Sequence, residues 1–123
     1  MKLGFDDNGI SGPPGSGTSG GLTFVNELFK DRRNPPGKGN ARTYDGTPAR
    51  FSLYATTRYI ERGQTDVPEH VKRAWRAIIE SGHEIGLHTH RHEHGAGFTS
   101  AEWSSEVAEC IRWLGKAYDD ERA

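Results

Sequence analysis

One stretch decides the fold of this chain: GHEIGLHTHRHEHG, residues 82–95, in which a short apolar run opens into four histidines at every second position. Imidazole is the commonest protein ligand for zinc and similar metals, so the spacing of these rings matters. In a strand, His88, His90, His92 and His94 would share one face, whereas in a helical turn only residues four apart would meet. The spacing alone leaves both geometries open.

The segment before this stretch predicts an amphipathic helix that leads into a strand. Its apolar residues recur at the spacing of one helical face: Val71, Ala74, Trp75, Ile78 and Ile79. Pro68 suits the first turn of this helix, and Gly82 stands where a left-handed C-terminal cap is expected. Glu84–His88 is then predicted to be a strand, and the histidine run begins at its carboxyl end.

The rest of the chain repeats this alternation of strands and helices. Before the stretch, the patterns predict a strand at 2–5, a helix at 20–31, a strand at 50–56 and a short helical turn at 58–61. After it, residues 99–102 form a capping box that opens a third long helix. Six apolar residues of that helix are predicted to share one stripe: Trp103, Val107, Cys110, Ile111, Leu114 and Tyr118.

This order of elements predicts an α/β fold with a parallel sheet of βαβαβα order and right-handed crossovers. The carboxyl ends of parallel strands meet at one rim, and chemistry gathers at that rim. Asp6 and Asp7 end the first predicted strand, and the histidines end the third. We therefore expect two groups far apart in the sequence to lie on the same rim.

Two polar segments between these elements are predicted to be loops. Residues 10–21 are rich in Gly, Ser and Pro, and residues 32–49 contain Asn34-Pro35-Pro36-Gly37. The second segment is longer than the usual connection of about 2 to 6 residues, which is typical of functional loops. Within it, Tyr44 and Asp45 are candidate substrate contacts.

Composition limits the class of protein. A chain of 123 residues is long enough for one domain, 1–123, with a core of its own. A net charge of −1 with interspersed signs argues against nucleic acid or an anionic membrane as the main partner.

No apolar run approaches the roughly 20 residues of a membrane span, and we recognise no signal peptide, so we expect a trimmed segment. The single cysteine, Cys110, excludes an internal disulfide.

A carboxylate and two imidazoles at one rim are the ligand set of a catalytic site for zinc or a similar divalent metal. Such a metal lowers the pKa of bound water towards about 7, and a second carboxylate can take the proton as the water attacks a carbonyl. This arrangement favours hydrolysis. Two plainer interpretations stay open: the Asp pair caps a turn, or the histidines are a solvated run that binds metal adventitiously.

Two motifs resemble those of the polysaccharide deacetylases with a NodB-like domain, also called carbohydrate esterase family 4. The family's strand ending in Thr-Phe-Asp-Asp-Gly is similar to residues 4–9, GFDDNG. Here Gly4 replaces the Thr, and Asn8 moves the final Gly by one position. The family's second motif, His-Ser/Thr-x-x-His after Gly-His-Glu-Ile-Gly, is similar to residues 82–92.

The resemblance implies a role for each matching residue. Asp6 would be the catalytic base, while Asp7, His88 and His92 would bind a divalent metal, most simply Zn²⁺. Thr89 would support the turn between the two histidines. The other two histidines of the run are not carried over.

The same resemblance implies a hydrolase acting on C–N bonds other than peptide bonds, which removes acetyl groups from N-acetylated glycans such as chitin or peptidoglycan. The alternatives are an O-acetyl (xylan) esterase of the same family and a non-catalytic fragment that binds metal or glycan. The expected partner is an acetylated polysaccharide. The expected location is extracellular or the cell wall.

The family fold is a distorted (β/α) barrel, and the chain resembles its first half. The family's later motifs supply an Arg, an oxyanion-binding amide, a pocket wall and an acid histidine. None is recognisable after Glu102, so we expect weak or no activity from this chain alone. A three-stranded parallel sheet would leave an open edge and apolar faces, which further chain, a partner or self-association would cover.

Overall fold

A computed structural model describes residues 3–6, 21–40, 44–61 and 68–118. The described part contains five strands, three α-helices and three short 3₁₀ turns. The strands are β1 (Gly4–Asp6), β2 (Pro36–Asn40), β3 (Tyr44–Asp45), β4 (Ser52–Ala55) and β5 (Glu84–Leu87). The helices are α1 (Gly21–Phe29), α2 (Pro68–Glu80) and α3 (Ser100–Gly115), and the 3₁₀ turns are Thr57–Ile60, Gly95–Gly97 and Lys116–Tyr118.

Three of the strands form a parallel sheet in the order β1-β4-β5. In the register of this sheet, Asp6 lies opposite Tyr54, and Tyr54 lies opposite Gly86. The prediction of an α/β fold with a parallel sheet is therefore confirmed. The further prediction that this sheet is half of a barrel stays a prediction.

The core lies between one face of β4 and helix α2. Leu53 and Ala55 alternate along β4 and are fully buried, as the pleat of a strand requires of residues two apart. From α2, Val71, Trp75 and Ile78 fill the space above them, also without exposure to solvent. The amphipathic pattern of this helix was thus predicted correctly.

Signals that are local in sequence gave the helix ends correctly. The Thr99 hydroxyl accepts a hydrogen bond from the Glu102 N–H, and the Glu102 carboxylate accepts one from the Thr99 N–H, which completes the predicted capping box. Gly82 follows α2 with a φ of 85°, the left-handed conformation predicted for it.

The prediction of a plain loop over residues 32–49 was wrong. Strands β2 and β3 pair there as an antiparallel ribbon, and Arg33 and Pro48 form a further bridge below it. Two contacts between Asn34 and Thr47 hold the base of the ribbon. The Asn34 N–H donates to the Thr47 carbonyl at 2.7 Å, and the Asn34 side chain donates to the Thr47 hydroxyl at 3.2 Å. The pairing is made by backbone groups, and the polar side chains of this segment do not show the pattern of a strand.

The predicted stripe of α3 was also partly wrong. Cys110 is buried, but Trp103 is 43% and Ile111 57% exposed. The helix turns another face inward, whose buried residues are Glu106, Cys110 and, in the turn that follows, Ala117. At 100° per residue this face lies to one side of the apolar stripe. Val107 and Tyr118 of the stripe are also exposed, as are Leu28 and Phe24 of α1, whereas Leu114 is partly buried against the core.

Within the described ranges, no helix has the length and apolar character needed to cross a membrane.

The core assignment predicts unequal costs for two tryptophans. Trp75→Ala removes a side chain with no solvent exposure, so it should lower the free energy of unfolding by about 3–5 kcal/mol. Trp103→Ala is the matched control and should cost about 1 kcal/mol, because Trp103 is already half in water. Urea denaturation of both variants measures the difference, and equal costs would contradict the assignment.

His83 is buried beside β4 as a neutral ring. It stacks on Phe51 with ring centroids 3.8 Å apart, and its Nδ1 accepts a hydrogen bond from the Phe51 N–H at 3.3 Å. Burial lowers the pKa of His83 below its usual value of 6.5, and the nearby positive charge of Arg50 lowers the pKa further. His83 is therefore a structural residue rather than a member of the histidine run.

This environment predicts that His83 makes the fold sensitive to acid. Because its pKa is lower in the folded chain than in the unfolded chain, the unfolded chain binds more protons below about pH 6.5, and stability falls as the pH drops. Asn offers an oxygen acceptor that does not titrate, so His83→Asn should lose less unfolding free energy than the wild type between about pH 7.5 and 5.5. Urea denaturation at the two pH values tests this, and parallel losses would refute it.

Candidate functional site

The candidate site lies at the rim formed by the carboxyl ends of the parallel strands. Side chains in register point to the same face of a sheet, so Asp6, Tyr54 and Gly86 share the face opposite the buried core of Leu53. The His88 N–H donates to the Ala55 carbonyl at 3.0 Å, which continues the ladder one residue past β5. His88 is two positions after Gly86, so it follows Gly86 on this same face.

A tyrosine ring spans this face between two glycines. A Cβ atom on Gly86 would lie 2.8 Å from Tyr54 Cδ1, and one on Gly4 would lie 3.2 Å from Tyr54 Cε2. The Tyr54 ring therefore covers the backbone of both neighbouring strands. This explains why a glycine is needed at position 86, just before the histidines.

The histidine run is neither a strand nor a helix. Thr89 and His92 both adopt left-handed conformations, with φ of 64° and 57°. The Thr89 hydroxyl accepts a hydrogen bond from the His92 N–H at 3.2 Å and closes the turn between them. This turn brings the rings of His88 and His92 together, with centroids 5.1 Å apart. His88 and His92, which are four residues apart, are therefore the histidines whose rings meet.

The turn after β5 is tied to the segment that follows β4. The Thr57 N–H donates to the Thr89 carbonyl at 3.3 Å, and the Arg58 N–H donates to the His90 carbonyl at 3.0 Å. The Thr56 hydroxyl donates to the His88 carbonyl at 3.1 Å. The predicted helical turn near Arg58 is therefore present, and its backbone N–H groups hold the histidine turn through these hydrogen bonds.

His90 points away from the pair and is buried, with 6% exposure. Its Nδ1 lies 3.0 Å from the Thr57 hydroxyl, and its Nε2 lies 3.1 Å from the Glu61 carboxylate. Its ring stacks on Trp113 with centroids 5.6 Å apart. Both ring nitrogens have protein partners, so His90 anchors the turn. His94 is exposed.

Glu106 of α3 was missed by the sequence analysis. Its side chain is buried, and its Oε2 accepts the N–H groups of both His90 and Arg91, at 3.1 and 3.0 Å. Its Oε1 accepts the Arg91 Nε–H. Burial by itself would raise the pKa of Glu106, but the hydrogen bonds and charge of Arg91 and the N–H of His90 together lower it. One signal existed: Glu106 stands four residues before Cys110, on the face that α3 buries.

The structure describes only one of the two aspartates predicted for the site. Asp6 lies at the end of β1 and is exposed. Asp7, the third predicted ligand, lies outside the described residues. Among the residues that are described, no three His, Cys, Asp or Glu side chains converge on one point. Tyr44 and Asp45 form β3, but their side chains are not described.

A polar cleft of about 260 Å³ lies against the histidine turn. The cleft is lined by two positive side chains, two negative side chains and one buried imidazole: Arg58, Arg91, Glu61, Glu93 and His90. Arg91 is paired with Glu106 and Glu93, so the cleft offers hydrogen-bond donors and acceptors rather than one strong charge. Such a lining suits a neutral polar ligand.

The sequence pattern of one known family matches this chain. The family is described as polysaccharide deacetylase, and the match covers residues 43–123, which is 81 of the 123 residues. The matched range runs from β3 to the end of the chain and includes the whole histidine run. Asp6 and Asp7 precede it. No curated protein matches the chain.

The different surroundings of two histidines predict different roles. His90→Ala removes a buried ring and leaves Thr57 and Glu61 without it, so it should lower the free energy of unfolding by about 2–4 kcal/mol. His94→Ala, in the same run but exposed, should change it by less than about 0.5 kcal/mol. Thermal and urea unfolding measure both variants. A small loss in His90→Ala would show that His90 is not an anchor.

Proposed function

The chain belongs to the polysaccharide deacetylase family, and from this premise we propose that it forms a metal-dependent site that removes acetyl groups from N-acetylated glycans such as chitin or peptidoglycan. One observation carries the proposal. The rings of His88 and His92 meet in a turn at the rim where β1 ends in Asp6. The acetylated polysaccharides of this proposal are wall or extracellular polymers, so we also propose that location.

The two imidazoles fit a zinc ion. Zinc binds histidine nitrogens at about 2.0–2.1 Å in a tetrahedral arrangement, which places two such nitrogens roughly 3.3 Å apart. Rings with centroids 5.1 Å apart can turn one nitrogen each towards a common point. We propose Asp7 as the third ligand, which would leave a coordination position for water, as catalytic zinc sites do.

In the proposed reaction a bound divalent ion would supply an acidified water and a polarised acetyl carbonyl. Asp6, an exposed carboxylate on the same face as Gly86, takes the proton of the attacking water. The acetyl C–N bond then breaks, acetate leaves, and the glycan amine takes up the proton that Asp6 received from the water. The polar cleft beside His90 provides donors and acceptors for sugar hydroxyl groups.

Metal content tests the ligand set. The wild type should bind one zinc ion per chain, and His88→Ala, His92→Ala and Asp7→Ala should each lose it, because each variant removes a proposed ligand. His94→Ala is the control and should bind as the wild type does. Mass spectrometry under native conditions measures the stoichiometry. Unchanged metal content in both His88→Ala and Asp7→Ala would contradict the site.

Acetate release tests the reaction. Asp6→Asn should keep the zinc ion yet lose at least about 100-fold in the rate of acetate release, the scale of a general base. Chitin oligosaccharides and acetylated xylan, assayed side by side, separate an amidase from an O-acetyl esterase. A wild-type chain that binds zinc and glycan but releases no acetate from either substrate would favour the non-catalytic alternative.

A further inference from the structure

The turn that carries His88 and His92 is held in an unfavourable backbone conformation. Left-handed φ values are uncommon for residues other than glycine, and Thr89 is β-branched, which makes its φ of 64° more costly. Such a turn persists only where its surroundings fix it. The hydrogen bond from the His92 N–H to the Thr89 hydroxyl fixes one end, but it is exposed to solvent.

The N–H groups in the middle of the turn are held by one carboxylate of α3, while Thr56, Thr57 and Arg58 hold carbonyl groups of the same turn. Glu106 has 2% exposure, and a single oxygen, Oε2, accepts two consecutive backbone N–H groups, those of His90 and Arg91. These two residues lie between His88 and His92 in the chain. Because the carboxylate holds both peptide units at about 3 Å, it sets where the chain must turn between the two rings.

The carboxylate is itself held in place. The Glu106 Oε1 accepts the Arg91 Nε–H, and the Thr99 and Glu102 capping box stabilises the first turn of α3. On the same face of α3, the Cys110 thiol lies 3.8 Å from the Ala55 carbonyl at the end of β4. The helix thus positions Glu106 relative to the sheet, and Glu106 positions the turn relative to the helix.

We propose that Glu106 is a positioning residue for the metal centre: it sets the separation and orientation of the His88 and His92 rings from a helix that carries no ligand. This rests on the proposed function only for the identity of the two ligands. Residues that orient histidine ligands without touching the metal typically change its affinity by about 10–100-fold when they are altered.

Two substitutions separate positioning from simple stabilisation. In Glu106→Gln the size is kept, but only one oxygen remains. If that oxygen keeps the two backbone N–H groups, the amide NH₂ faces the Arg91 Nε–H, and two donors oppose each other. Glu109→Gln is the matched control: it makes the same change on the same helix, at a carboxylate that is bonded to Arg112. The first variant disturbs the turn, and the second leaves the bonds of Glu106 intact.

The test is calorimetric titration of the full chain with zinc, with the folded fraction of each variant measured by circular dichroism and used to correct the affinity. Glu106→Gln should bind zinc about 10–100-fold more weakly than the wild type, and Glu109→Gln within about 3-fold of it. Cobalt substitution adds a second readout, since the visible absorption of Co²⁺ depends on ligand geometry. The absorption should change in Glu106→Gln and stay the same in Glu109→Gln.

The outcomes separate the two proposals. If the wild type binds zinc and Glu106→Gln binds it within 3-fold with an unchanged cobalt spectrum, the positioning role is wrong while the metal centre stands. If the wild type binds no zinc, the metal centre itself fails, and the positioning role fails with it. If Glu106→Gln does not fold, Glu106→Asp replaces it. This variant keeps the negative charge but is shorter by one methylene group, and the same criteria apply to it.

Discussion

The structure depends on the parallel pairing of β4 with a strand on each side. This pairing fixes the register of the whole sheet, so the end of β1 and the end of β5 come to the same rim although they lie about 80 residues apart. It also assigns the two faces. Leu53 and Ala55 point to α2 and build the core, while Tyr54 points to the opposite face with Asp6 and Gly86. Core and candidate site are therefore two sides of one strand.

Much of this architecture could be predicted from the sequence, because its signals are local. Helix α2 has a strong period and a glycine cap, and α3 begins with a capping box that depends on residues three apart. The features that were missed have no such side-chain pattern in the sequence. The ribbon at Pro36–Asn40 is held by backbone hydrogen bonds, which leave no pattern in the side chains. The buried face of α3 depends on where the turn after β5 lies.

The candidate site shows the same division. Spacing in the histidine run left two geometries open, and contacts with Thr57 and Arg58, some 30 residues earlier, decide between them. Those contacts draw His90 inward and leave His88 beside His92. Glu106 was missed although it stands four residues before Cys110, since a glutamate in a helix is usually solvated. Its surroundings hold it ionised: burial opposes the charge, and donors from Arg91 and His90 outweigh that effect and lower its pKa.

The Tyr54 ring has a consequence for how sequences of this architecture can vary. It lies against the backbone at Gly4 on one side and at Gly86 on the other, so three positions on three strands form one packing unit. A side chain at position 86 requires a smaller residue at position 54, and a smaller residue at 54 uncovers the backbone at position 4. These positions are therefore expected to change together, and a pattern search that treats each position separately would not detect the dependence.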